Sequence, residues 1–323
     1  MAVYTHLGAE DLARLIGEFD VGELRSAKGI AEGVSNSNWL IETSGKDASG
    51  ARFILTMYEE RTEVRDLPFF LGLMDHLSQH GCPVPATIHD RAGHAWREVG
   101  GKAAALIEFL SGVSVSEPTP AQARAVGGAL ARVHLGASDF PLSRENGLGP
   151  AAWQTLIEGC GHDGLAAIDP ALAPLVEREL PAIVAAWPQG LPRSVIHADL
   201  FPDNVLMLGD HVSGLIDFYF ACNDVTAYDV AVTHAAWCFD ASGRQFDAAV
   251  SAALLEGYEA VRPLSEAERG ALPLLARGAA MRFLATRAYD WLNTPDGALV
   301  TRKDPMAFAR RLEFYCANGQ VFA

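Results

Sequence analysis

The sequence is poor in basic side chains. Its 323 residues include 25 Lys and Arg against 40 Asp and Glu, which gives a formal net charge of −15. Only four residues are lysines, and none of them lies in a basic cluster. Nucleic acids and anionic lipid surfaces are bound mainly through clustered Lys and Arg. We therefore expect neither nucleic acid nor a membrane among the partners.

Long apolar runs and paired cysteines are also lacking. No stretch approaches the roughly 18 uncharged apolar residues of a membrane span. The first 20 residues carry acidic side chains at positions where a secretory signal would be basic and then apolar. The five cysteines are widely spaced and include no C-x-x-C pair. This usage predicts reduced, mostly buried thiols in a cytoplasmic protein.

Two frequent catalytic motifs are missing as well. There is no G-x-x-x-x-G-K-[ST], which excludes a P-loop enzyme, and no G-x-S-x-G, which excludes an α/β-hydrolase. The content of 50% apolar and 20% charged residues is typical of a globular protein with a sizeable core.

The apolar periodicity predicts a strand-rich first third and a helical remainder. In the first third we expect helices at 9–19 and 66–80, and strands at 21–30, 37–44, 51–58, 86–90, 94–99 and 103–110. A Ser/Pro/Thr-rich segment follows at 111–120. Beyond it we expect helices at 120–137, 170–186, 226–238, 244–260, 264–292 and 304–317. The result is an α+β fold with a boundary near residue 110 and a cleft where the two parts meet.

The segment 194–218 interrupts the helices and carries the most informative pattern. It contains H-x-D-L-x-x-x-N, with His197, Asp199 and Asn204, and continues into Ile-Asp-Phe around Asp217. This is the pattern of a kinase catalytic loop. A hairpin turning at Gly209-Asp210 would return the chain and bring Asp217 near Asn204.

The chemistry of phosphoryl transfer explains these residue types. The reaction needs in-line positioning and charge neutralisation rather than covalent help. Asp199 can accept the proton of an acceptor hydroxyl, while Asn204 and Asp217 offer the oxygen ligands that Mg²⁺ prefers. We expect His197 to shape the loop. The alternative, that these side chains only cap a β-turn, accounts less well for six specified positions in order.

The run HADLFPDN followed by IDF resembles the aminoglycoside phosphotransferase and choline kinase superfamily, whose fold is similar to that of protein kinases. The family usually has Gly in place of Ala198 and His in place of Phe201. The resemblance implies a bilobal fold, with residues 1–110 as the nucleotide-binding lobe and 111–323 as the catalytic and acceptor-binding lobe. It also implies ATP and Mg²⁺.

The resemblance also locates residues for the nucleotide. The Gly-rich segment 29–39 corresponds to the phosphate-covering loop, so Gly29, Gly33, Ser35 and Asn36 are candidates; an ordinary polar hairpin is the alternative. The hinge at 107–110 would bind adenine through its backbone, at Glu108 and Leu110.

The third strand departs from the kinase pattern. It carries Thr56 where kinase-like folds place a Lys or Arg for the phosphates. Lys28, Arg52 and Lys102 are the candidate replacements.

Three segments resemble the bacterial homoserine kinases of this superfamily: IDFYFACND…AYD, the stretch at 68–85, and LTMYEER at 55–61. These kinases share the Thr in the third strand. The resemblance implies that ATP and L-homoserine give O-phospho-L-homoserine and ADP, a step toward threonine. The short segment after Asp217 lacks the activation segment of protein kinases, so a small acceptor is expected.

A zwitterionic acceptor needs donors for its carboxylate and acceptors for its ammonium. The candidate contacts are Asn38, Asp224, Arg282, Arg287 and Trp291. For the helix at 281–292, surface ion pairs are the alternative explanation. We expect Asp229 to cap or brace the helix that follows.

Two other functions stay open from the sequence. The acceptor is another small alcohol, such as choline, ethanolamine, an aminoglycoside or methylthioribose, or the chain is a nucleotide-binding pseudokinase. Thr56 is the only support for the pseudokinase.

Overall fold

The computed structural model describes residues 7–30, 36–47, 49–59, 63–294 and 302–322. The chain divides into two compact units, residues 1–111 and 112–323. The first unit is built on an antiparallel sheet and the second is mostly helical, so the predicted α+β fold class is confirmed. The functions assigned to the two parts stay predictions.

The first unit contains two helices and one six-stranded sheet. Its elements are α1 (Ala9–Ile16), β1 (Leu24–Ile30), β2 (Asn36–Thr43), β3 (Ala51–Tyr58), α2 (Leu67–Gln79), β4 (Thr87–Ile88), β5 (Arg97–Val99) and β6 (Lys102–Glu108). The strand order is β1-β2-β3-β6-β4, and β5 also pairs with β6. All of these pairings are antiparallel.

One face of this sheet forms the core with α1. Side chains alternate between the two faces of a strand, so Leu55 and Met57 of β3 point to the same side. They are fully buried and pack with Leu12 and Ile16 of α1. Thr56, which lies between them, must face the other side of the sheet. Only side chains on the same face of the sheet as Thr56 can contribute to a site beside it.

The second unit contains seven helices and two small antiparallel pairs in its described residues. The helices are α3 (Pro120–Gly136), α4 (Pro150–Ile168), α5 (Leu172–Ala186), α6 (Thr226–Trp237), α7 (Ala248–Glu259), α8 (Glu266–Asn293) and α9 (Met306–Ala317). The strands are β7 (Arg193–Ile196), β8 (Val205–Leu208), β9 (His211–Leu215) and β10 (Cys222–Val225). β7 pairs with β10, and β8 pairs with β9. The predicted hairpin at Gly209-Asp210 is therefore confirmed.

Glycines allow α3 and α7 to approach closely. A Cβ atom on Gly257 of α7 would lie 2.0 Å from the carbonyl oxygen of Arg124, and one on Gly127 of α3 would lie 2.1 Å from that of Leu254. Both distances are far below van der Waals contact, so only glycine fits at these positions. The close approach brings Tyr258 of α7 to His134 of α3, with 2.8 Å between the hydroxyl and Nδ1.

The structure contains two elements that the periodicity did not predict. α4 includes Gly159, Gly161 and Gly164, which are poor helix formers, and Gly161 breaks the helix with a φ of 67°. Only three of its residues are buried, so its apolar pattern is weak. β10 is only four residues long and is defined by its pairing with β7. Both elements depend on tertiary contacts rather than on a local signal.

Two simpler expectations can be compared with the described residues. Four of the five cysteines are buried, and Cys316 is exposed. No helix in the described ranges is long and apolar enough to cross a bilayer.

Candidate active site

The loop between β7 and β8, residues 197–204, holds two of the predicted site residues side by side. Asn204 Nδ2 donates to the backbone oxygen of Asp199 at 2.8 Å and lies 3.4 Å from its Oδ2. The Asn204 amide nitrogen is thereby committed to Asp199. The other end of this amide, Oδ1, has no hydrogen bond within the described chain and is available as an oxygen ligand. A single 3₁₀ turn at Pro202–Asn204 closes the loop.

The β8–β9 hairpin brings the third residue to the same place. After β9 the backbone N–H of Ile216 donates to the carbonyl oxygen of Asn204 at 3.0 Å, so Asp217 follows directly beside Asn204. Asp217 adopts a left-handed backbone conformation with φ 66°, and its side chain is open to solvent. A carboxylate beside an amide oxygen is the donor chemistry that hard divalent cations such as Mg²⁺ prefer. These residues therefore fit the expected metal.

Burial raises the proton affinity of Asp199. It raises the pKa of this carboxyl to about 7, helped by the nearby Asp217 and opposed by the guanidinium of Arg282. About 18% of the Asp199 side chain still reaches solvent, which leaves a path for an acceptor. Partial desolvation of its carboxyl, together with the charge of Asp203, also raises the pKa of Asp217 above the ordinary aspartate value, and Lys303 opposes the shift. A bound cation would favour the ionised form of both groups.

Asp229 of α6 supports the 197–204 loop from below. Its carboxylate is fully buried and accepts the backbone N–H groups of His197 at 2.6 Å and Ala198 at 2.8 Å. His134 Nε2 lies 3.0 Å from the same carboxylate. Although burial alone would raise its pKa, these contacts lower the pKa of Asp229 below the ordinary value. Asp229 thus braces the loop rather than capping α6.

His134 and Tyr258 were not found from the sequence. They complete the network under Asp229, because Tyr258 hydrogen-bonds to the second ring nitrogen of His134. No motif marks either residue. Their only signal is a polar side chain within an otherwise apolar helix, and such residues are common in cores.

His197 links the loop to the segment before Asp217. Its Nε2 lies 3.0 Å from the carbonyl oxygen of Ile216, and its ring packs against Phe218 with 4.5 Å between centroids. It is almost fully buried, and burial lowers its pKa. These contacts shape the loop.

The residues predicted for the acceptor are in different environments. Arg282 is buried, with 2% of the residue exposed, and donates through Nη1 to the carbonyl oxygen of Ala198. Asp224 is also buried and accepts from Asn146 Nδ2 at 2.7 Å and Arg193 Nη1 at 3.2 Å. Asn38 accepts from the Thr56 hydroxyl at 2.8 Å.

Arg287 and Trp291 are only partly buried. The Arg287 guanidinium stacks on the Phe308 ring at 4.5 Å and donates to the carbonyl oxygen of Asp304. Surface ion pairs do not explain α8 in this region, since none is found among Arg282, Arg287 and Asp290 within the described residues.

The residues predicted for the nucleotide lie partly in strands. Gly29 pairs with Trp39 between β1 and β2, and Asn36 is the first residue of β2. Gly29 therefore lies next to the end of β1, and its role toward the phosphates stays a prediction. Gly33 and Ser35 lie outside the described residues.

In the predicted hinge, the Glu108 side chain accepts from the backbone N–H of Ala86 at 3.1 Å. The backbone N–H of Glu108 also donates to the carbonyl oxygen of Ala86, at 2.9 Å, so the backbone group that Glu108 could offer to adenine is its carbonyl oxygen. Leu110 follows two residues after the end of β6.

Strand register separates the candidate cations around Thr56. Lys28 pairs with Leu40, which in turn pairs with Ile54. Because directly paired residues face the same side of a sheet, Lys28 shares the face of Ile54 and Thr56, as does Arg52 of the same strand. Arg52 is stacked on Phe109 at 4.4 Å.

Lys102 belongs to the other face. Lys102 lies two residues before Ala104 in β6, so both side chains are on the same face of the sheet. Ala104 pairs with Met57 on the core side, and Lys102 contacts Glu59. Lys28 and Arg52 are therefore the candidates on the Thr56 face.

Comparison with known proteins gives a consistent family match. The model of the phosphotransferase enzyme family matches residues 26–264. A homoserine kinase of Phenylobacterium zucineum is 52% identical over 312 residues, which cover 97% of this chain and 94% of that protein. A homoserine kinase of Nitrobacter winogradskyi is 52% identical over 321 residues, which cover 99% of this chain and 96% of that protein.

Solved structures share the fold at low sequence identity. Spectinomycin phosphotransferase APH(9)-Ia, in complex with ADP and spectinomycin, has a TM-score of 0.73 at 12% identity, covering 98% of this chain and 100% of that chain. The amicoumacin kinase hAmiN, in complex with AMP-PNP and Ca²⁺, has a TM-score of 0.70 at 14% identity, covering 96% and 93%. These similarities establish the fold of the chain.

Proposed function

The chain belongs to the phosphotransferase enzyme family, and from this premise we propose that it transfers the γ-phosphoryl group of ATP to the side-chain hydroxyl of L-homoserine. The observation that carries this proposal is the identity of 52% to curated homoserine kinases over nearly the full length of both proteins. The products are O-phospho-L-homoserine and ADP. The reaction is a step of threonine biosynthesis.

Asp199 acts as the base in this proposal. The hydroxyl oxygen of homoserine attacks the γ-phosphorus, the bond from this phosphorus to the β–γ bridging oxygen breaks, and the hydroxyl proton passes to Asp199. A pKa of about 7 gives this carboxylate a higher proton affinity than an ordinary aspartate has. The Asp199 carboxylate is partly exposed to solvent, and Asn204 Nδ2 lies 3.4 Å from its Oδ2.

Asn204 and Asp217 would hold Mg²⁺, which neutralises charge on the nucleotide phosphates when it is bound. The support is the unused Oδ1 of Asn204 and the adjacent Asp217 carboxylate, joined through the hydrogen bond from Ile216 to Asn204. In the first unit, we assign the phosphates to backbone N–H groups near Asn36 and to a cation on the Thr56 face, with Lys28 as the candidate. For adenine we assign the carbonyl oxygen of Glu108, whose N–H is committed to Ala86, and the backbone of Leu110.

Arg287 is the candidate ligand for the homoserine carboxylate. Unlike Arg282, it is only partly buried and so retains an accessible edge. It also lies close enough to Asp199 to feel its charge: burial and Arg311 lower the pKa of Arg287 to about 10, whereas Asp199 opposes that shift. The guanidinium is still charged at neutral pH. A planar guanidinium suits bidentate recognition of a carboxylate.

A panel of acceptor alcohols tests the reaction. ADP release is measured with ATP, Mg²⁺ and either L-homoserine, choline, ethanolamine, an aminoglycoside or methylthioribose, and ³¹P NMR identifies the product. We expect homoserine to give the highest kcat/KM by at least about tenfold, which corresponds to about 1.4 kcal/mol. Turnover of choline or an aminoglycoside without turnover of homoserine would refute the acceptor.

The Asp199→Ala variant separates an enzyme from a pseudokinase. Loss of the base should reduce kcat by at least about 100-fold while ATP binding is retained. If the parent protein turned over none of the alcohols and the variant bound ATP equally well, the nucleotide-binding pseudokinase would be favoured.

A further inference from the structure

Arg282 is a charged side chain in the buried interior of the second unit, where few charged side chains occur. Only 2% of the residue is exposed, and its guanidinium lies between the rings of Phe220 and Phe283, 5.6 Å and 4.6 Å from their centroids. The Nε group is buried and has no hydrogen-bond partner. Burying a charged group is costly unless it is paired. A buried Arg with one unused donor therefore points to a specific role for the remaining donors.

The two terminal nitrogens of Arg282 both face the 197–204 loop. Nη1 donates to the carbonyl oxygen of Ala198. Nη2 lies 4.0 Å from Oδ1 of Asp199. One guanidinium thus contacts the backbone just before the proposed base and approaches the base itself.

The contact at Ala198 is made at a strained residue. Ala198 has a φ of 64°, in the left-handed region that is unfavourable for any residue with a Cβ atom. Its N–H is held by Asp229 from α6, and its carbonyl oxygen is held by Arg282 from α8. Two side chains of opposite charge therefore fix this residue from both ends. The conformation in turn sets the direction in which Asp199 leaves the loop.

This arrangement argues against Arg282 as an acceptor ligand. A residue that binds the homoserine carboxylate must present donors to a space that homoserine can enter. Arg282 has 2% exposure, and Nη1 is committed to a backbone carbonyl. Arg287, five residues later on α8, is only partly buried and suits that task better.

We propose that Arg282 is a positioning residue for phosphoryl transfer, which fixes the Ala198 carbonyl and thereby the direction of the Asp199 carboxylate. This inference rests on the proposed role of Asp199 as base. It assigns the two arginines of α8 different tasks, since Arg282 serves the base and Arg287 serves the acceptor.

The test compares kcat with KM in three variants of α8. Arg282→Lys keeps a positive charge but loses the planar fork, of which one arm donates to the Ala198 carbonyl oxygen while the other approaches Asp199. It should lower kcat by at least about tenfold while the KM values for homoserine and ATP stay within about threefold of the parent. Arg287→Met should instead raise the KM for homoserine by at least about tenfold with a smaller effect on kcat.

Arg277→Met is the matched structural control. Arg277 lies on the same helix and pairs with the buried Glu179 at 2.6 Å. Among the described residues, no hydrogen bond or ion pair joins it to the 197–204 loop. Its loss should lower thermal stability and leave kcat per folded molecule unchanged. Arg282→Met adds a variant without charge, with an expected fall in kcat of at least about 100-fold. If it does not fold, as judged by circular dichroism, the Lys variant decides.

Three outcomes are distinct. A fall in kcat at constant KM in Arg282→Lys supports the positioning role. A rise in the homoserine KM at constant kcat would overturn it in favour of acceptor binding, and parental kcat in folded Arg282→Lys would overturn it in favour of a packing role. If the parent enzyme prefers another alcohol, the same comparison is made with that alcohol, so a wrong acceptor does not affect the conclusion about Arg282.

Discussion

Replacing Asp229 with Asn should loosen the 197–204 loop at its base. The carboxylate receives two backbone N–H groups and His134 at zero exposure. The amide has nearly the same shape, but it carries no charge and only one of its two ends can accept. Its Nδ2 would face a donor, because the groups around the carboxylate are two N–H groups and an imidazole.

The expected cost follows from these contacts. Losing one hydrogen bond to a charged acceptor costs about 1.5–3 kcal/mol, and leaving a buried N–H without a partner costs about 1–3 kcal/mol. Together they predict that Asp229→Asn lowers the free energy of unfolding of the second unit by about 2.5–6 kcal/mol. Because the Ala198 N–H is one of the two donors, kcat should also fall, by about tenfold or more.

Asp247→Asn is the matched control for this prediction. Asp247 is the N-cap of α7 and also accepts two backbone N–H groups, from Ala249 and Val250, each at 2.9 Å. It is exposed. Asn caps helices about as well as Asp, so this substitution should cost less than about 0.5 kcal/mol. The two variants differ in burial and in the contact with His134, while the number of backbone donors is the same.

Urea unfolding followed by tryptophan fluorescence provides the measurement. Trp153, Trp187, Trp237 and Trp291 lie in the second unit, so the signal reports mainly on it. The reasoning is refuted if the two variants lose the same stability, or if Asp229→Asn lies within about 1 kcal/mol of the parent. A large loss of stability in Asp229→Asn with kcat unchanged from the parent would mean that Asp229 stabilises the fold but does not affect catalysis.

Three further predictions concern other parts of the fold and site. Gly257→Ala should destabilise the protein by about 2 kcal/mol because its Cβ would clash with the Arg124 carbonyl. Gly270→Ala, with no atom within 4 Å of its Cβ, should stabilise the protein by up to about 1 kcal/mol. Equal free energies of unfolding of the two variants in urea would contradict this prediction. Burial lowers the pKa of His234 to about 3, so the folded state stays neutral while the unfolded state gains a proton below about pH 6.5. Stability should therefore fall by about 2 kcal/mol between about pH 6.5 and pH 5 through this group, and His234→Gln should remove that part of the pH dependence. Asp217→Ala should weaken ATP binding by at least about tenfold with Mg²⁺ present and much less with EDTA, as measured by calorimetry; equal weakening under both conditions would exclude a metal role.

Local pattern was sufficient for most of the elements. The α1 and α2 helices have apolar residues at helical spacing, and β3 is a short, mostly apolar run whose last four residues are buried. The order Asp199, Asn204, Asp217 could be predicted because the chemistry requires these types at this spacing. α4 could not be predicted, since its glycines weaken the helical signal and few of its residues are buried.

The contacts of the supporting side chains could not be predicted for a different reason, although Asp229 and Arg282 were already candidates. His134, Asp229 and Arg282 lie 65, 30 and 83 residues from Asp199 in the sequence, on three separate helices. Their roles depend on which helix faces the loop. The sequence alone does not distinguish a buried Arg in α8 from one at the surface. Only packing shows that it is buried against Ala198.

The two-sided hold on Ala198 has a consequence for local opening. Loops at active sites usually belong to the least stable part of a protein, and their amides exchange with solvent through small fluctuations. The N–H groups of His197 and Ala198 instead point at a fully buried carboxylate, at 2.6 Å and 2.8 Å. Their deuterium uptake should therefore be among the slowest in the second unit and should require its global unfolding. Asp199 would then follow directly after some of the most protected backbone of this unit, although the substrates bind and leave beside it.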